Sequence, residues 1–256
     1  MTNAFDSSRR KFDWAKRHLA NLKRQLSDFN KTNKCGFFTE PDPNRPDHTI
    51  YKMRLKEQIP NGVAELTGDV VDNLRSALDH AMFATAVAAG RPNAREAYFP
   101  FSRSAPDFEG NLKGRCRDVP QEIYPLLRRF EPYKGGSDAL YALNVVCVAN
   151  KHKLVIPCAS ASFSAGLSVK ATGFMEMPYT PVWDSTKNEM ILCTVGPQTQ
   201  QLYGEFQFAV YVAFGEIDIV GGQPVIPTLD LFTDMVETII NEIEAETRRL
   251  GFKADL

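Results

Sequence analysis

The hydrophobic repeat of this chain changes period twice, and that restricts the architectures open to it. Up to about residue 153, apolar side chains recur mainly at steps of three and four. From Leu154 to Ile226 they fall in short segments rich in Val, Phe, Tyr and Thr, and from Leu229 the helical step returns. A period near 3.6 suits helices and a period of 2 suits strands. The pattern predicts an α+β fold: a bundle of about five helices with an inserted antiparallel β-sheet of four to six strands. By this reading residues 1–153 are mainly helical with one strand near 48–58, residues 154–226 form the sheet, and residues 227–256 return as a C-terminal helix.

The details follow the same logic. Phe12, Ala15, Leu19, Leu22, Leu26 and Phe29 place an amphipathic helix over 8–30. Residues 31–46, rich in Asn, Pro, Gly and Asp, read as a loop. Thr49, Tyr51, Met53 and Leu55 alternate with Lys52, Arg54 and Lys56 as in a half-buried strand. A second helix runs from about Val63 to Ala89, closed by Gly90 and Pro92. Residues 91–119 read as irregular, anchored by Tyr98-Phe99-Pro100-Phe101, and a short helix follows over 120–133. Ser137 caps a helix that ends near Lys151, and Thr228 is expected to cap the last one. Strands are expected over 154–161, 167–177, 189–195 and 205–219, with a turn at Gly221-Gly222.

The 256 residues suffice for a sizeable core. A net charge of -1 excludes a polycation. Locally, residues 9–34 carry nine lysines and arginines against Asp13 and Asp28, whereas residues 228–250 carry six acids against Arg248 and Arg249. The basic first helix could track a nucleic-acid backbone or pack beside the acidic last one. Five cysteines without a C-x-x-C pair suit reduced thiols, and no apolar run or leader-like start is present, so the chain is expected to be cytoplasmic and free of the membrane.

Asp69, Asp72, Asn73, Arg75, Asp79 and His80 sit on a helix otherwise suited to burial, where polar groups must be paired or functional. Asp69, Asn73, Ser76 and His80 share one flank. Arg75 and Asp79, four apart, can pair, with Asp72 also in reach. Arg75 and His80 diverge by about 140°. Asn150, Lys151 and His152 form a second cluster at a helix C-terminus that could extend a phosphate-binding surface. Each has a plainer reading: Arg75, Asp79 and Asp72 as a surface ion-pair set, Asn73 and His80 as packing residues, His152 as a cap. A metal site from Asp79, His80 and His152 would need two helices to converge. His18 and His48 receive no role.

The string Gly68-Asp69-x-x-x-Asn73-Leu74-Arg75-Ser76-Ala77-Leu78-Asp79-His80, with Tyr98-Phe99-Pro100, Phe130-Glu131-Pro132-Tyr133 and Asn150-Lys151-His152-Lys153, resembles a family of uncharacterised bacterial proteins over roughly residues 60–155. The Arg75-x-x-x-x-His80 spacing is also similar to the signature of HEPN-type ribonucleases, although Ser76 follows the arginine here. That resemblance implies a homodimeric RNA-binding or RNA-cleaving protein needing neither metal nor cofactor, active in stress or phage defence. His80 would take the 2′-hydroxyl proton, and Arg75 would face the charge growing on the phosphate. The alternative is a non-catalytic ligand- or protein-binding module in which Arg75 and His80 are structural. Its strand block is dense in aromatics: Tyr203, Phe206, Phe208, Tyr211 and Phe214.

Overall fold

A computed structural model of the chain describes residues 3–32, 35–60, 62–152, 157–163, 175–176, 183–184, 187–197, 208–215 and 219–253. The α+β arrangement is present, with six α-helices among the described residues.

Three long helices form the body. α1 (Asp6–Thr32) buries the apolar stripe anticipated for it, from Phe12 to Phe29. α2 (Gly62–Ala88) is the central rod: Val70, Val71, Leu74, Ala77, Leu78, Ala81 and Met82 are all buried. Its alanines let neighbours approach closely. Ser8 Oγ of α1 donates to the Ala77 carbonyl at 2.8 Å, and Thr85 Oγ1 lies 3.2 Å from Thr247 Oγ1 of α6 (Val225–Arg249). The charge asymmetry of the termini is satisfied internally at two places. Arg9 meets Glu244 at 2.7 Å and Lys23 meets Asp230 at 2.6 Å, so α1 and α6 run antiparallel with opposite charges facing. α6 starts before the anticipated cap. Pro224 holds the cap position and Thr228 sits inside the helix, its hydroxyl donating back to the Pro224 carbonyl at 2.8 Å. Pro227 tolerates the first turn because its missing N–H has no partner there.

The region between α2 and α5 (Asp138–His152) is more regular than 91–119 suggests. It contains α3 (Ala105–Lys113), opened by Ser104, whose hydroxyl accepts the Asp107 N–H at 3.3 Å. A 3-10 turn, Gln121–Ile123, leads into α4 (Tyr124–Phe130). Gly136 makes the tight turn into α5 possible: a Cβ there would stand 2.6 Å from the Glu131 carbonyl oxygen.

The strands depart most from expectation. Residues 35–42 are not loop but β1 (Cys35–Asp42), paired antiparallel with β2 (Arg45–Leu55). The proline and glycine content that suggested a loop is tolerable because β1 lies at the edge of the sheet. β2 pairs in turn with β6 (Glu189–Val195), and the two-residue strands β4 (Met175–Glu176) and β5 (Trp183–Asp184) also pair with β6. The larger sheet therefore has three full-length strands, fewer than four to six, and draws two of them from outside residues 154–226. β3 (Pro157–Phe163) and β7 (Phe208–Phe214) form a separate two-stranded ribbon. The segment 167–177 is described only at Met175–Glu176, and Tyr203 and Phe206 lie outside the described residues. The β2–β6 register shifts between Tyr51 and Lys52, where Leu192 of β6 is passed over. Along β2 the buried positions run Ile50, Lys52, Met53 and Leu55, so the alternation breaks between Lys52 and Met53. Lys52, expected on the wet face, is only 7% exposed and bonds Glu189 at 2.9 Å; Arg54 holds the other carboxylate oxygen at 2.6 Å.

Candidate functional site

The polar flank of α2 faces α1 and the loop that follows α2. His80, one turn beyond Ser76, is half-buried, and its Nδ1 lies 3.0 Å from Ser7 Oγ of α1. Nε2 has no hydrogen-bond partner among the described residues. Burial, with Lys11 and Arg10 close by, lowers the imidazole pKa below its ordinary value against the opposing pull of Asp79. The ring is therefore held neutral at pH 7, with one N–H and one lone pair to offer.

His80 lines a pocket of about 490 Å³ with Ser76, Asp79, Phe83, Arg95 and Tyr98. Phe83 and Tyr98 are 40% and 42% exposed, high values for large aromatic rings. The loop carrying Arg95 and Tyr98 is firmly seated. Asp118 accepts the N–H groups of Arg95 and Glu96 at 2.8 and 2.9 Å. Tyr98 N–H donates to the Arg115 carbonyl at 3.0 Å, and the Cys116 thiol donates to the Tyr98 carbonyl at 3.1 Å. Burial pushes that thiol up to about 12, so it is not a thiolate nucleophile at neutral pH.

Arg75 belongs elsewhere. Its Nη1 donates to Asp79 at 3.2 Å, its Nε donates to Asn144 of α5 at 3.1 Å, and its guanidinium lies 5.4 Å from the Phe101 ring centre. Asp79 also accepts the Phe99 N–H at 2.9 Å, so one carboxylate ties α2 to Arg75 and to the following loop. Burial pushes the Asp79 carboxyl above its ordinary range, with Arg75 and the Phe99 N–H pulling the other way. Arg75 does not line the His80 pocket but a different cleft. The two residues of the Arg-x(4)-His spacing are thus separated within one chain, as their helical angle requires.

No family model, curated protein or solved structure matches this chain.

The remaining anticipated residues scatter. Asp69 is exposed, with His18 Nδ1 3.9 Å from its carboxylate. Asn73 turns back to donate to the Asp69 carbonyl at 2.8 Å, a local bond within the helix. Asp72 accepts from the Cys147 thiol at 3.0 Å. Asn150, Lys151 and His152 end α5, and their side chains lie outside the described residues, as does that part of the Asp79–His80–His152 metal reading. Phe83 and Arg95 are additions from the structure, and Tyr98, singled out from the sequence only within the Tyr98-Phe99-Pro100 string, joins them at the pocket. Phe83 had a sequence signal, since it falls off the apolar stripe of α2 and within one turn of His80. Arg95 had none, because nothing local says where its loop lands.

Proposed function

We propose that the protein binds single-stranded RNA at the His80 pocket. The observation that carries this reading is two exposed aromatic rings, Phe83 and Tyr98, beside Arg95 and a neutral imidazole, with Arg10 and Lys11 of α1 close to that imidazole. Stacking on such rings contributes about 1–3 kcal/mol per base, and cations around them attract the backbone. His80 Nε2 is available to a base edge or to a 2′-hydroxyl, the group that distinguishes RNA from DNA. In a cleaving protein His80 takes the 2′-hydroxyl proton as the 2′-oxygen bonds the phosphorus, and the P–O5′ bond breaks with the 5′-oxygen taking a proton from water. Arg95, the guanidinium that shares the pocket, faces the phosphate. The ion pair and amide contact of Arg75 support the other half of the alternative reading, in which that residue braces the scaffold.

Fluorescence anisotropy with a labelled single-stranded RNA tests binding, and a gel of the same RNA in EDTA tests cleavage. Tyr98→Ala is expected to weaken binding about tenfold, which matches the loss of one stacked base, and His80→Ala to abolish any cleavage. Equal affinity of wild-type and Tyr98→Ala protein contradicts the binding site; equal degradation by wild-type and His80→Ala protein contradicts the catalytic role.

A further inference from the structure

Behind the Arg75–Asp79 pair, where α2, α3 and α5 meet, lies a larger cleft of about 880 Å³. Among the described residues, three guanidinium groups line it, Arg75, Arg103 and Arg115, against one lining carboxylate, that of Asp107. Arg75 is fixed by Asp79 and Asn144 through Nη1 and Nε, and its Nη2 has no bond among the described residues. Arg115 is braced 5.6 Å over the Tyr98 ring, and neither it nor Arg103 has an ion pair among the described residues. With Arg75 already paired to Asp79, the charges of Arg103 and Arg115 and the open Nη2 of Arg75 suit a multiply charged anion, and the planar fork of each fits phosphoryl oxygens.

The opposite wall is different. α5 buries Leu140, Leu143, Val146 and Cys147 in the core and turns Tyr141, Val145 and Val148 toward the cleft, with Val148 45% exposed. An apolar wall facing a cationic one calls for a ligand with a flat or greasy part and an anionic part. The volume is that of a small-molecule site.

We propose that this cleft binds a free mononucleotide, its ring on Tyr141 and Val148 and its phosphates on Arg75, Arg103 and Arg115. The assignment goes beyond the RNA site and does not depend on it, since the two cavities use different cations. Isothermal titration of the full chain tests it, with ATP, adenosine, inorganic phosphate and a short RNA with or without a 5′-phosphate as ligands. ATP is expected to bind one to one, with adenosine and inorganic phosphate each at least tenfold weaker. Arg103→Ala and Val148→Glu, both at exposed positions, are each expected to weaken ATP at least tenfold while leaving affinity for 5′-hydroxyl RNA unchanged. Absence of ATP binding at millimolar concentration overturns the proposal, as does ATP binding that neither variant alters. Binding of 5′-phosphorylated RNA without any binding of ATP overturns the free-nucleotide assignment.

Discussion

Asp79 is the residue on which the local geometry turns. It holds the Arg75 guanidinium on one oxygen and the Phe99 N–H on the other, mostly out of water. Asp79→Ala strands a largely buried cation and a backbone donor together. The expected loss is about 3 kcal/mol, toward the lower end for a broken buried pair, read by chemical denaturation; a loss under about 1 kcal/mol would place the pair with ordinary surface ion pairs. His80 gives a pH signature. Burial and the nearby Lys11 and Arg10 lower its folded pKa, with Asp79 opposing them, so folding favours the neutral ring. The stability it contributes is complete above its unfolded pKa of about 6.5 and is lost as pH falls from there toward the folded value. Wild-type protein should therefore lose more stability than His80→Gln between pH 7.5 and 5, and parallel curves for the two would count against the buried neutral imidazole. At this scale the sequence was readable where partners lie on one helix: the i,i+4 spacing of Arg75 and Asp79 predicts their pairing, and the divergence of Arg75 from His80 is a matter of helical angle. Ser7, Arg95 and Tyr98 reach His80 from other elements, and no spacing encodes that.

Among the elements, the helices were legible because each carries an apolar stripe of its own, whereas strand identity depends on neighbours distant in the chain. β1 was hidden by Gly36 and Pro41, residues that an edge strand tolerates. The pairing of β2 with β6 joins residues more than 130 positions apart, such as Arg54 and Glu189. The expected alternation holds for Met53 and Leu55 but breaks between Lys52 and Met53, which leaves Lys52 inside. That burial has a measurable consequence. Lys52→Met leaves Glu189 sealed with only Arg54 to offset it and also removes the ammonium from the part-exposed Glu40, and a loss of about 3 kcal/mol is expected. The double variant Lys52→Met with Glu189→Leu should recover part of that loss, because it removes the stranded charge. A double variant no more stable than Lys52→Met alone would mean that the pair itself, rather than its solitary remnant, sets the energy.

For the molecule as a whole, the opposed charges of the first and last helices meet at Arg9–Glu244 and Lys23–Asp230, so the basic character of α1 is partly spent on holding the fold. Arg10 and Lys11 act on His80 instead, at the end of α1 where the aromatic pocket opens. Among the described residues no helix is long and apolar enough to cross a membrane. Two cavities, one aromatic with a neutral imidazole and one lined by three arginines, lie on either side of the Arg75–Asp79 pair. The proposed recognition of RNA depends on the first of them, and ultraviolet crosslinking of the full protein to a single-stranded RNA, followed by mass spectrometry of the attached peptides, tests it most directly. Attachment at Phe83 or Tyr98, lost when Tyr98 and Phe83 are both changed to alanine, is the result expected. Attachment confined to the strands, for example between Glu189 and Phe214, with the pocket peptides unmodified, would contradict it.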